Sequence, residues 1–129
     1  MKWYRDLYLG EGIKKSPKQL IQKVETNAGL GNMYLVTIAA NGRDLFDIFS
    51  TNLLFQPVLH GHCPLIVGMA KSHEDAVSIA VQITMEAYQQ YGDFDIYRYL
   101  ESRLDESEEM IYEYPMEKLK KRKRFKFRK

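Results

Sequence analysis

All three histidines and the only cysteine of this 129-residue chain fall in one stretch, as His60, His62, Cys63 and His73. Imidazole nitrogens and a thiolate are the side chains that ligate zinc, and a Cys–His pair also supplies a nucleophile with its base. The spacing decides what they can build. Leu65–Ala70 is a continuous apolar run and reads as a strand. At about 3.3 Å per residue that strand carries His73 roughly 20 Å from the other three. His60, His62 and Cys63 remain, three ligands within four residues, which strain a tetrahedral site and lack the paired spacing of zinc modules. A metal- or thiol-dependent enzyme centred on His60–Cys63 is one reading. A loop histidine pair beside a buried thiol packing as a small hydrophobe is the other.

A second place for chemistry is the turn Gly68-Met69-Ala70-Lys71-Ser72, between that strand and the helix expected after it. Backbone N–H groups at such turns hold phosphates. This turn has one glycine, so it is neither G-x-G-x-x-G nor a P-loop. Glu74 and Asp75 already place negative charge at the helix start and repel an anion. Helix capping by Ser72 and Asp75 accounts for the pattern. Asp44, Asp47, Glu74 and Asp75 make no carboxylate pair, and G-x-S-x-G, H-E-x-x-H and C-x-x-C are absent from the sequence. No cofactor is predicted.

The third is the C-terminal segment. Lys118, Lys120, Lys121, Arg122, Lys123, Arg124, Lys126, Arg128 and Lys129 crowd into twelve positions with Phe125 and Phe127 among them. Such a field attracts phosphate backbones, and the two rings suit stacking on unpaired bases. The net charge of +2 conceals this layout. Residues 1–100 hold 9 basic and 10 acidic side chains, residues 101–115 one basic and 6 acidic, and residues 116–129 9 basic and one acidic. A nearly neutral body thus precedes an acidic block and then a basic one. The expected partners are a nucleic acid or an acidic protein surface. Solvation of the segment, or pairing of the two blocks within or between chains in a homo-oligomer, is the plainer alternative.

The elements that position these residues follow from pattern. Ser16 is an N-cap, Pro17 occupies the first helical position, and Leu20, Ile21, Val24 and Ala28 repeat at helical spacing before Gly29 and Gly31. Met33–Ala40 reads as a buried strand, Asn41-Gly42 as a hairpin turn, and Leu45–Phe49 as its antiparallel edge partner. A short helix over Leu53–Leu59 is expected next. After the capped turn, Ala76, Val77, Ala80, Ile83, Thr84, Ala87, Tyr88 and Tyr91 line one broad helical face, closed by Gly92. A last helix from about Asp93 or Asp95 puts Phe94, Tyr97, Leu100 and Leu104 on one side. Trp3–Leu9 gives no clear signal beyond aromatics that dock on a core.

The order predicts an α+β domain over residues 1–104, a two-layer sandwich of about three strands covered by helices, with a charged extension over 105–129. The strands Met33–Ala40 and Leu65–Ala70 should be neighbours. No apolar run approaches the roughly 18 residues of a membrane span. The N-terminus lacks the apolar core of an export signal, so a cytoplasmic location is expected. One cysteine makes no internal disulfide.

Leu7-Tyr8-Leu9-Gly10, Tyr34-Leu35-Val36-Thr37, and Val67-Gly68-Met69-Ala70 followed by Glu74-Asp75-Ala76 resemble a group of short uncharacterised bacterial proteins, over residues 7–100. That group has no assigned activity, so the resemblance implies a bacterial setting and no catalytic residues. The favoured function is a small binding or interaction module using the basic segment, not an enzyme.

Overall fold

In the computed structural model the described residues are 1–26, 32–39, 45–52 and 64–113. They form strand β1 (Lys2–Leu9), helix α1 (Pro17–Glu25), β2 (Tyr34–Ile38), β3 (Phe46–Ser50), β4 (Ile66–Ala70), α2 (His73–Tyr91), α3 (Ile96–Ser102) and β5 (Ile111–Glu113). The strands join in one mixed sheet in the order β3-β2-β4-β1-β5. Only the β1–β4 pair is parallel. The α+β class is therefore what the chain adopts. β2 and β4 are neighbours, and β3 is an antiparallel edge, as their composition predicts.

Two strands join the three expected. β1 is an interior strand whose burial repeats in pairs, with Trp3, Tyr4, Leu7 and Tyr8 inside and Lys2 and Asp6 outside. Trp3 and Leu7 are covered on one face and Tyr4 and Tyr8 on the other, so β1 lacks the apolar–polar alternation by which a half-buried strand is recognised. β5 is three residues long and pairs with β1 through Lys2–Glu113, Trp3–Tyr112 and Tyr4–Ile111. Residues 105–113, expected in a charged extension, thus belong to the folded body as far as they are described. Met110 is buried, and its carbonyl accepts the Arg5 N–H at 2.8 Å.

Successive side chains of a strand point to opposite faces, and the helices divide accordingly. Trp3, Leu7, Leu35, Ile66 and Met69 pack with Leu20, Ile21 and Val24 of α1. Tyr4, Tyr8, Val36, Val67 and Ala70 pack on the other side with Ala76, Ile79, Ile83 and Ala87 of α2 and Ile96 and Leu100 of α3. A two-layer sandwich would put both helices on one face, whereas α1 and α2 cover opposite faces. The reason is visible in β2 and β4, which are apolar at consecutive positions and need cover on both sides.

Local chemistry sets the helix ends. Ser16 accepts the Gln19 N–H while the Gln19 side chain accepts from the Ser16 backbone, a complete capping box, and Pro17 follows at the first position. The helix ends at Glu25, where the Thr26 hydroxyl returns to the Gln22 carbonyl at 2.7 Å. Ala28, Gly29 and Gly31 lie outside the described residues, as do Asn41-Gly42 and Leu53–Leu59. Ser72 accepts the Asp75 N–H, and Gly92 ends α2 with φ of 75°, a left-handed conformation suited to glycine. Gly68 has a different task. A Cβ there would lie 2.9 Å from Ile79 Cγ2 and 3.3 Å from the Tyr8 carbonyl, so its bare backbone lets α2 settle on the sheet.

Asp95 caps α3 by accepting the Arg98 N–H. The inward face of α3 is Ile96 and Leu100, whereas Phe94 and Tyr97 stand about half exposed. The spacing 94–97–100–104 thus misassigns the face, because Ile96 one turn before Leu100 is the better anchor.

Thr37 is fully buried on β2, and its hydroxyl has no hydrogen-bond partner. Burying an unpaired hydroxyl costs about 1–3 kcal/mol. Thr37→Val keeps the branched shape and removes that atom, so the variant should unfold at higher urea, by about 1 kcal/mol or more. A lower midpoint would show that the hydroxyl is satisfied in solution.

Candidate functional site

Of the histidine and cysteine candidates, His73 alone lies among the described residues. His73 opens α2 on the surface, its ring edge-to-face with Tyr34 at 5.7 Å between centroids. His60, His62 and Cys63 lie outside the described residues, as do Lys118–Lys129 with Phe125 and Phe127. Among the described residues no three His, Cys, Asp or Glu side chains gather as a metal site would require. The turn 68–72 is occupied by its own capping, as the charges of Glu74 and Asp75 imply.

Two constellations that the sequence does not announce come together on the α2 side of the sheet. One is polar. Tyr8 from β1 and Tyr99 from α3 both donate to Oε1 of Glu86 on α2, at 2.7 and 2.9 Å, and Gln82 donates to Oε2 at 2.9 Å. Beside them the Arg103 guanidinium lies 4.4 Å from the centre of the Tyr8 ring and 3.0 Å from Asp6 Oδ2, and it donates to the Tyr4 hydroxyl at 3.4 Å. Tyr4 itself donates to the Leu100 carbonyl at 2.6 Å, and its ring stacks with that of Tyr8.

The surroundings of Tyr4, Tyr8, Tyr99, Glu86 and Arg103 move each pKa away from neutral pH. Burial pushes the Tyr4 phenol up to about 12, against a smaller opposing pull from Arg103. Burial and the bond to Glu86 raise Tyr8 well above the ordinary phenol range, and the same two causes raise Tyr99. Burial opposes the Glu86 charge, but the three donated hydrogen bonds outweigh it and hold the carboxylate below its usual range. Burial likewise opposes the Arg103 charge, and Tyr8, Tyr4 and Asp6 together raise it. A general acid or base works best with a pKa near the operating pH, and none of these groups is moved toward it. The cluster braces β1, α2 and α3 against one another.

The other constellation is apolar. Val77 (40% exposed), Val81 (55%), Met85 (54%) and Tyr88 (51%) form a stripe along the outer side of α2, at intervals of three or four residues. A shallow groove of about 200 Å³ runs along it, lined by Val77, Ala80, Val81, Thr84 and Met85. Phe94 (53% exposed) extends the patch by stacking on Tyr88, with ring centres 5.4 Å apart. The sequence places Val77, Thr84 and Tyr88 in one buried face with Ala76 and Ile83. The structure turns the helix so that Ala76, Ile79, Ile83 and Ala87 meet the sheet instead. Val81 and Met85 were the overlooked signal, since their addition makes α2 apolar over more than one sheet-facing stripe can bury.

No family model matches this chain, and no curated protein or solved structure matches it significantly, so no relative assigns chemistry to either constellation. No helix among the described residues is long and apolar enough to cross a membrane.

The polar cluster makes two opposite pH responses. A phenol whose folded pKa is raised contributes stability that is complete below its unfolded value near 10 and is lost as the pH rises through the folded value. For Tyr4 that window runs from 10 to about 12. Phenolate absorbance should therefore show Tyr4, Tyr8 and Tyr99 among the nine tyrosines ionising late, together with unfolding. Ionisation of all nine near pH 10 in a still-folded chain would contradict the network. Glu86 responds at the acid end. Its folded pKa is depressed, so its contribution is present above 4.5 and is lost as pH falls through the folded value. Glu86→Gln should lower stability at neutral pH and match the parent chain in strong acid. Parallel profiles at all pH values would refute that role.

Proposed function

We propose that the chain is a non-enzymatic binding module of the bacterial cytoplasm, in which the folded body carries a basic arm that engages a polyanion, with nucleic acid as its partner. The observation that supports this reading is the separation of charge along the chain, with 9 of the 19 basic residues in the final twelve positions. The body gives that arm a fixed base. β5 is hydrogen-bonded to β1, and Arg5 donates from Nε to the Glu109 carbonyl at 2.5 Å and from its guanidinium to the Tyr112 hydroxyl at 3.0 Å. The Arg5 guanidinium also sits 4.5 Å from the centre of the Tyr112 ring. The chain is thus clamped to the sheet up to Glu113, only five residues before Lys118.

Cations of this density bind phosphates by releasing counterions, so affinity tracks salt and tolerates sequence. Phe125 and Phe127 add stacking on unpaired bases. Oligonucleotide binding by fluorescence anisotropy, at salt from about 50 to about 200 mM, tests the role. The full chain should lose at least about a hundredfold in affinity across that range. A chain ending at Glu113 should not bind. Changing Lys120, Lys121, Arg122 and Lys123 to Gln should flatten the salt slope by about one unit per phosphate contact removed. Phe125→Ala with Phe127→Ala should weaken single-strand binding more than duplex binding. Equal affinity of the full and shortened chains would end the proposal.

A further inference from the structure

We propose that the outer face of α2 is a two-fold interface between two copies of this chain. The face is built to be covered. Val77, Val81, Met85 and Tyr88 each expose two fifths or more of their surface, with Phe94 stacked at the end of the row. At about 150–250 Å² for a large side chain, these five expose roughly 500 Å² of apolar surface. Two copies laid face to face would withdraw roughly 1,000 Å², which is where specific interfaces begin. The exposures follow one helical line instead of scattering singly over the surface.

The chemistry of the row favours a copy of itself over a charged peptide. α2 contains no lysine or arginine, and its acidic side chains Glu74, Asp75 and Glu86 lie outside the lined groove. Glu86 is already engaged by Tyr8, Tyr99 and Gln82. A two-fold arrangement therefore sets no like charges against each other within the groove, and a basic or acidic ligand finds no counter-charge there. Ala80 and Thr84, one turn apart in the groove, are short enough for two helices to approach at the usual 8–10 Å. With the axis near Val81, the Met85 side chain of each copy enters the groove of the other. Two-fold pairing is the commonest closed assembly because one self-complementary patch suffices.

The test uses the full chain without nucleic acid, so its outcome is independent of the basic arm. Sedimentation equilibrium from about 1 to about 500 µM brackets the dissociation constants expected of so small an interface. The mass should rise from 15.2 kDa toward twice that value with concentration. Raised salt should leave the association intact or tighten it, because apolar burial is not screened. Val81→Glu with Met85→Glu, both at exposed positions, should weaken association at least tenfold and leave the urea midpoint unchanged at concentrations where the parent chain is monomeric. In the unsubstituted chain, the methyl resonance of Met85 should move with concentration while that of the buried Met110 stays fixed. A monomer at every concentration would leave the face to a different protein and overturn the proposal. So would a dimer that salt dissolves, which would instead mark pairing of the acidic and basic blocks, or a dimer that forms with Met85 unmoved.

Discussion

Trp3 and Tyr4 are adjacent on β1, fully buried, and on opposite faces of the sheet. Each carries a polar tip that must be satisfied in the interior, where an unmatched donor costs about 1–3 kcal/mol. The two tips are met by two different helices. The Trp3 indole donates to Glu25 at the end of α1 at 2.8 Å, and the Tyr4 hydroxyl donates to the Leu100 carbonyl of α3. Glu25 is itself almost wholly enclosed, with the Met1 amino group 2.9 Å away as counter-charge. One dipeptide thus fixes the position of a helix above the sheet and of another below it. The pairing of β1 with β4 on one side and β5 on the other completes the frame.

Within that frame α2 has two jobs on two sides. Its small residues Ala76 and Ala87, with Ile79 and Ile83, rest on β2 and β4, where Gly68 leaves room for Ile79. The flank toward α3 carries Gln82 and Glu86, which tie the helix to Tyr8 and Tyr99. Neither job uses Val81, Met85 or Tyr88. A helix that needs only alanines and isoleucines to hold its place has no folding reason for a second apolar row. That surplus row and the crowding of cations after Glu113 are the two features on which the proposed binding roles rest.

Much of the architecture could be read from the residues. Ser16-Pro17 and Ser72 mark helix starts because their hydroxyls satisfy otherwise orphaned N–H groups, and Gly92 marks an end because its φ is positive. The apolar runs of β2 and β4 announced a sheet interior, and the hairpin signal after β2 announced β3 as its antiparallel edge partner. β1 escaped because it is covered on both faces, so apolar and polar residues do not alternate along it. β5 escaped because three residues, Ile-Tyr-Glu, carry too little pattern and derive their structure from Lys2–Tyr4 opposite them. The faces of α2 and α3 were harder still. Val77 and Ala76 are neighbours of similar hydropathy, and only the geometry of the sheet beneath decides which of them turns inward.

The polar brace lay beyond the sequence for a related reason. Tyr8, Glu86, Tyr99 and Arg103 come from three elements, and nothing in their spacing predicts that two phenols will share one carboxylate oxygen. Long-range polar contacts of this sort have no local signature. The histidine and cysteine group had the opposite character, a conspicuous cluster in the sequence whose one described member, His73, meets the Tyr34 ring edge-to-face at the surface.

The placement of β1 also governs how the chain reaches this state. Trp3 meets Ile66 only after more than sixty further residues exist, and Tyr112 only after more than a hundred. Contacts so remote along the chain slow folding, since loop closure must precede their reward. During synthesis the aromatic strand precedes β4, and its edge toward β4 stays unpaired until that strand arrives. The hairpin of β2 and β3, whose strands are close in sequence, can assemble in the meantime. The N-terminal aromatics are therefore the segment most in need of protection before folding finishes, and the last to gain its final neighbour.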